Sequence, residues 1–143
     1  MKHTATLGSG LSKENPQEAG SYPYPILITR EDQDSDLVYS MVKALHTEYP
    51  NYKDALPAME GWSLENQTFK WAVPYHEAAV KYWKEVGVWT ADIDAHNEKL
   101  IERQNVLAAA WATMASMDVA DDKYQDKWME VRAAALKAKG MTP

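Results

Sequence analysis

The longest amphipathic pattern in the sequence runs from Thr90 to about Met117. Apolar residues return along it at helical spacing, and most of the charged residues lie on the other side. The apolar seam consists of Ile93, Leu100, Leu107, Trp111 and Met114. Asn97 and Gln104 interrupt this seam, so the pattern does not predict a regular coiled coil. A single long helix over residues 90–117 is expected.

Three shorter helices are predicted at residues 34–49, 75–86 and 121–139. In the first of them, Asp34 or Ser35 can cap the amino-terminal end, and Leu37 begins an apolar stripe at helical spacing. Pro74 is expected to begin the second helix. Gly87 is expected to end it, in the position just past the last turn where glycine is favoured. The fold class is therefore mainly α, with four or so helices and one or two short N-terminal strands.

The first thirty residues predict little regular structure. Residues 1–21 form a loop-rich lead, with one short strand near His3–Leu7. Residues 22–30, "YPYPILITR", predict a second strand, because the two prolines force an extended backbone and Ile26–Thr29 is mostly β-branched. Proline donates no hydrogen bond to a ladder, which places this strand at the edge or end of a sheet. It would have no partner strand within the sequence.

Composition bounds the protein class. A chain of 143 residues fits one domain or domain fragment. The net charge of −6, without a basic cluster, argues against a nucleic-acid partner. There is no cysteine, and the longest apolar run, Val106 to Ala112, is too short to span a bilayer. The start, "MKHTATLGSG", lacks the apolar stretch of a secretory signal, so we expect a cytoplasmic protein or an export segment outside this chain.

The aromatic residues are unusual in kind, with six Trp and eight Tyr but one Phe. Tyr and Trp favour surfaces that are apolar on one side and wet on the other, so this choice suits an interface at least as well as a core. Tyr75, Trp83 and Trp89 are expected to press the second helix onto another layer of protein, and if that layer is missing an apolar face remains exposed. Such a face rarely stays bare in a soluble protein, which predicts self-association as a symmetric homodimer, with the long helix contributing.

The polar residues do not predict chemistry. His76 has two interpretations: a contact to a ligand or metal, or a helix-start residue whose ring bonds to nearby backbone. The second is favoured, because no His or carboxylate stands at metal-ligand spacing. The acidic residues Asp92, Asp94, Glu98 and Glu102 have the spacing of a solvated helix face rather than of paired catalytic carboxylates. The sequence therefore predicts no enzyme activity, no catalytic residue, no cofactor and no metal site.

Three stretches stand in the order "SYPYPILITREDQDSDLVYSMVKAL", "GWSLEN" and "VPYHEAAVKYWKEVGVW". Together they resemble the C-terminal part of the TAXI-type solute receptors of TRAP transporters, over roughly residues 5–115. The most specific piece matches the family's P-x-H-P-G-A motif at Pro74, His76 and Ala79. Glutamate and alanine replace the second proline and the glycine of that motif.

The resemblance implies both a fold and a function. Such receptors are periplasmic proteins with two α/β lobes and a ligand cleft between them, and the chain resembles the C-terminal portion of this type II architecture. The lone strand at 22–30 would then find its sheet partners in the other lobe. The implied function is that of a solute-binding component, or partial receptor, for organic acids or amino acids. The membrane subunits of the transporter are implied as partners, and the periplasm as the location.

Two tyrosines are the candidate ligand contacts under this resemblance. Tyr22 and Tyr24 lie on the strand that passes close to the cleft in such receptors, although both residues can instead pack on helices. The alternative function is a self-associating helical interaction module that derives from such a receptor and no longer captures a ligand.

Overall fold

The computed structural model of the chain describes residues 2–6, 8–20 and 26–143. The strands are β1 (Lys2–Ala5) and β2 (Gln17–Gly20), and the helices are α1 (Ser35–Thr47), α2 (Tyr49–Tyr52), α3 (Glu77–Val86), α4 (Ala91–Ala115) and α5 (Tyr124–Ala138). Three 3-10 turns lie at Pro57–Trp62, Leu64–Asn66 and Asp121–Lys123. The predicted fold class, mainly α with short N-terminal strands, is confirmed. Among the described residues, no helix is both long enough and apolar enough to cross a bilayer.

The first of two compact units consists of Met1–Asp32 and Ala44–Thr68. In it, β1 and β2 pair antiparallel along their full length. The C-terminal end of α1, the short helix α2 and two of the 3-10 turns complete the unit. The hydroxyl of Tyr52 on α2 donates to the carbonyl oxygen of Leu45 at 2.6 Å, which holds the two helices together.

The second unit consists of Gln33–Lys43 and Phe69–Pro143. It begins at the N-terminal end of α1, where Oδ1 of Asp34 accepts from the backbone N–H of Leu37 at 2.8 Å. This is the cap that the acidic residue before the apolar stripe predicts. Val38 is buried, while Leu37 and Met41 on the same helix are 53% and 56% exposed, so part of the predicted apolar stripe of α1 stays uncovered.

The main helix–helix contact of the second unit joins α4 and α5. Two side chains on these helices, Met114 and Leu136, are fully buried. At one end, the indole of Trp111 meets that of Trp128 edge-on, with ring centroids 5.1 Å apart. Further along α4, Nη1 of Arg103 donates to the carbonyl oxygen of Thr142 at 2.6 Å and fastens the end of the chain. The two helices thus form an antiparallel hairpin.

The predicted helix bounds differ from the observed ones by a few residues at most. The difference that bears on function is at the start of α3. This helix begins at Glu77, whereas the sequence predicts a start at residue 75. For the strand predicted at 22–30, residues 22–25 lie outside the described residues. Residues 26–30 are described, and they form neither strand nor helix. Ile28 is 81% exposed, so no described segment covers or pairs with this stretch.

Candidate functional site

The loop before α3 is fastened to the first two turns of α4. The ammonium of Lys70 pairs with the carboxylate of Asp92. One turn on, the carbonyl oxygen of Trp71 lies 2.7 Å from Nε2 of His96, and because a carbonyl can only accept, that nitrogen is the donor. These two contacts hold the backbone just before the motif at residues 74–79 against α4.

A third contact brings Asn97 into the same fastening. Its Oδ1 accepts from the backbone N–H of Tyr75 at 2.8 Å. The side chain is buried, which is unusual for asparagine unless a partner satisfies it. The backbone N–H of Tyr75 is thus bonded to α4, and α3 starts at Glu77, two residues later than Pro74 predicts.

An aromatic cluster fills the space between this loop and α3. Phe69 meets Trp83 edge-on with ring centroids 5.5 Å apart, and Tyr75 meets Trp89 in the same way at 5.2 Å. Trp83 and Trp89 are buried within the chain itself, so the expectation that they are left to cover a missing layer is wrong. Burial in the cluster raises the pKa of Tyr75, because the phenolate would lose its hydration there. The packing makes the loop and α3 one rigid piece.

His76 is the N-cap of α3. Its Nδ1 accepts from the backbone N–H of Ala78 at 3.1 Å, while its own backbone is extended. This corresponds to the second interpretation above, a helix-start residue bonded to backbone. Since Nδ1 is the acceptor, the neutral ring carries its proton on Nε2. That atom is buried and has no hydrogen-bond partner in the described part of the chain.

The family-motif positions are therefore structural parts of one helix start. Pro74 stands two residues before the N-cap His76, and Ala79 is buried on the inner side of α3. At the other end of this helix, Gly87 takes the left-handed conformation, with φ of 84°, as its place after the last turn predicts.

Helix α1 lies along the other side of α3. The hydroxyl of Ser35 donates to Oε1 of Glu77 at 3.1 Å. One turn on, the hydroxyl of Tyr39 donates to Oε2 of Glu85 at 2.5 Å, and the ring of Tyr39 meets that of Tyr82 edge-on at 5.5 Å. The bond to the Glu85 carboxylate raises the pKa of Tyr39, because the phenol proton is shared with a negative charge.

Asp94 joins the end of α3 to the start of α4. Its Oδ1 accepts from the indole Nε1 of Trp89 at 2.8 Å, and its Oδ2 accepts from Nζ of Lys84 at 3.1 Å. Both hydrogen bonds lower the pKa of Asp94, because both stabilise its carboxylate form. The bond from the Trp89 indole has the larger effect and the bond from Lys84 the smaller. Two of the four acidic residues expected to form a solvated face, Asp92 and Asp94, therefore have partners within the chain.

An open groove of about 560 Å³ lies between α3 and α4. Its floor is mainly apolar, formed by Tyr75, Val80 and Ile101, with Asn97 beside them. Its charged rim consists of four carboxylates and two ammonium groups, contributed by Glu77, Glu85, Asp94, Glu98, Lys81 and Lys84. Lys84 is already paired with Asp94 at 3.0 Å. We call this feature the α3–α4 groove.

The two predicted ligand-contact residues are not part of the site described above. Tyr22 and Tyr24 lie outside the described residues. The described residues contain no group of three or more His, Cys, Asp or Glu side chains that could hold a metal ion. Two site features escaped the sequence analysis: the partner of Asp94 and the role of Asn97. A polar residue inside an apolar helical seam was the available signal for Asn97, since such a residue needs a buried partner.

Comparison with known proteins finds a similarity over part of the chain. A model of the NMT1-like family matches residues 24–87, which is somewhat less than half of the chain. This family is related to the TRAP-type and periplasmic binding proteins, and its similarity suggests a solute-binding type of protein. No curated protein and no solved structure gave a significant match. The match contains α1, α3 and the motif at 74–79, and ends before α4.

Proposed function

We propose that the chain is a solute-binding component, or part of a receptor, of a TRAP-type transport system for organic acids or amino acids. The observation that carries the proposal is the family match over residues 24–87, which includes the motif at 74–79. The finer TAXI assignment rests on the resemblance of that motif. Under this proposal the protein works in the periplasm beside the membrane subunits of its transporter, and it has no catalytic step and no cofactor.

The α3–α4 groove is the candidate solute site within the described chain. It is a shallow groove of about 560 Å³ that stays open to solvent, so a solute would be held mainly by its charged rim. Lys81 forms no salt bridge in the described chain, and its ammonium lies 5.2 Å from the centroid of the Tyr39 ring. It is the cation best placed to meet a ligand carboxylate.

The charges of the groove favour amino acids over dicarboxylates. Four carboxylates against two ammonium groups leave the rim with an excess of negative charge, which repels a dicarboxylic acid of net charge −2 more than an amino acid whose ammonium group offsets part of its negative charge. An amino acid instead offers its ammonium to Glu98 and its carboxylate to Lys81. We therefore propose that an amino acid binds more tightly in this groove than a dicarboxylic acid of the same size.

A thermal-shift titration with L-glutamate and with succinate tests this function. A ligand that binds only the folded state stabilises it, so the unfolding midpoint rises with ligand concentration. At a ligand concentration of a hundred times the Kd, the free energy of unfolding increases by about 2.7 kcal/mol. Glutamate is expected to shift the midpoint, and succinate to shift it less. Replacement of the ammonium in Lys81→Gln should raise the Kd about tenfold, as expected for a lost charge-assisted hydrogen bond. The control is Lys127→Gln on α5, which removes a cation outside the groove.

The alternative function is the self-associating helical interaction module without ligand capture. One observation favours it: the C-terminal half of α4 presents an exposed surface without charge. A midpoint that stays unchanged with both ligands, in a protein that associates with itself, would support this alternative against the solute-binding function.

A further inference from the structure

One side of α4 is exposed and uncharged over four turns. From Gln104 to Met117 the sequence has no charged residue, although a quarter of the chain is charged. The residues of this side are Ile101, Asn105, Ala108, Ala112 and Ala115, all exposed, and we call them the α4 face. Ile101 is 42% exposed, and the neighbouring Trp111 is 46% exposed. A helix side that faces only water normally carries charged residues, which this one lacks.

The α4 face has the spacing that a second helix requires. Its residues follow one another at intervals of four, three, four and three, the repeat by which a helix offers a continuous seam to a partner. It is distinct from the seam that the α4–α5 hairpin uses, where Ala110 and Met114 are buried. Helix α4 therefore carries two seams, and the described chain covers one of them.

We propose that the α4 face packs antiparallel against the α4 face of a second copy of the chain, about a two-fold axis near Ala108. Ile101 stands seven residues before Ala108 and Ala115 seven residues after it. In an antiparallel pair each Ile101 therefore lies opposite the alanine of the other copy, a large side chain against a small one. At the axis the two Ala108 side chains meet, which lets the helices approach to about 8 Å.

The composition of the α4 face favours a second copy of the chain over other binding partners. The α4 face has no charge of either sign, so it offers no complement to a nucleic acid, a charged peptide or an anionic membrane. Its one large residue, Ile101, lies opposite the small Ala115 of the other copy, the self-complementary contact that a two-fold interface requires. The half-exposed indole of Trp111 stands beside the seam, where it covers Asn105 of the other copy. Ile101 also lines the α3–α4 groove, so the second copy would meet one end of that groove.

Measurement of mass in solution tests the proposal on the full chain. At about 100 μM, well above a Kd of order 10 μM, light scattering should give twice the chain mass of 16.2 kDa. Ala112→Arg places an unpaired charge in the face and should weaken association by about tenfold or more. The matched control is Ala134→Arg, the same exchange at an exposed position of α5. A monomeric wild type, or equal association in both variants, would overturn the proposal.

Cysteine cross-linking tests the orientation, because the chain has no cysteine of its own. Positions 101 and 115 are about 21 Å apart along one helix, so a double Ile101→Cys, Ala115→Cys variant cannot bridge within one copy. Mild oxidation should convert it to a covalent dimer, while Ile101→Cys alone should stay largely uncross-linked. Equal cross-linking of the single variant would indicate parallel helices and overturn the antiparallel arrangement. Both measurements use protein without ligand, so they succeed or fail independently of solute binding.

Discussion

The cap of α3 allows a direct test of what its histidine contributes. In the structure, Nδ1 of His76 accepts from the backbone N–H of Ala78 at 3.1 Å, and Nε2 has no partner in the described chain. His76→Ala removes the acceptor together with the ring. His76→Asn removes the same ring, but its Oδ1 stands where Nδ1 stood and can accept the same hydrogen bond. The difference between the two variants therefore isolates the cap.

The expected magnitude follows from the single bond at stake. Loss of an N-cap acceptor costs about 1 kcal/mol, so His76→Ala should unfold about 3 °C below His76→Asn in a chain of this size. Urea unfolding followed by circular dichroism would give the same difference as a shift of the midpoint. If His76→Asn loses as much stability as His76→Ala, the cap contributes nothing, and the fastening of Tyr75 to Asn97 alone determines where α3 begins.

A second cap serves as the comparison. Thr90 caps α4 through Oγ1, which accepts from the backbone N–H of Ile93 at a longer distance of 3.3 Å. The difference between Thr90→Asn and Thr90→Ala should therefore be no larger than the difference at His76. A larger difference at Thr90 would contradict the distance-based ranking of the two caps.

Three further predictions concern the core, the end of α3 and the response to acid. Met114→Ala should destabilise the chain by about 2–4 kcal/mol in urea unfolding, because the side chain is fully buried, whereas Met117→Ala, at 38% exposure, should change stability by less than about 1 kcal/mol. Gly87→Ala should cost about 1 kcal/mol, because φ is 84° there, while Gly20→Ala, with open space and no such φ, should be near neutral in the same assay. Because the folded-state pKa of Asp94 lies below its unfolded value, its stabilisation is complete above the unfolded pKa and is lost as pH falls through the folded one. Urea midpoints of wild type and Asp94→Asn should therefore converge in acid, and a constant gap would refute the assignment.

Helix positions were predictable from the sequence because they depend on local signals. The apolar repeat located α4, Asp34 located the start of α1, and Gly87 located the end of α3, each by a rule that acts within one turn. The start of α3 was misplaced by two residues for the opposite reason. Tyr75, which the pattern places in the helix, is instead held ahead of it by Asn97, a residue far along the chain whose hydrogen bond no local pattern predicts.

The site was predictable only in part, because side-chain contacts made across a turn do not follow the helical repeat. His76 stood at a helix start in the sequence, and the structure gives its ring the expected backbone partner. Asp94 looked like one of several solvated acids, because nothing local distinguishes it from Asp92 or Glu98. Its contact with Trp89 depends on how the turn after α3 folds back, which the 3.6-residue period does not encode.

The segment that resembles solute-binding proteins is held in place by residues that lie beyond its C-terminal end. Lys70, Trp71 and Tyr75 all belong to the matched range, yet each finds its polar partner after residue 90. A fragment cut at residue 87 would leave a lysine, a carbonyl and an amide of that loop facing water instead of the first two turns of α4. Any transplant of the motif into another scaffold must therefore carry the stretch up to Asn97 with it. On the ribosome, likewise, the loop can settle only after that stretch has left the exit tunnel.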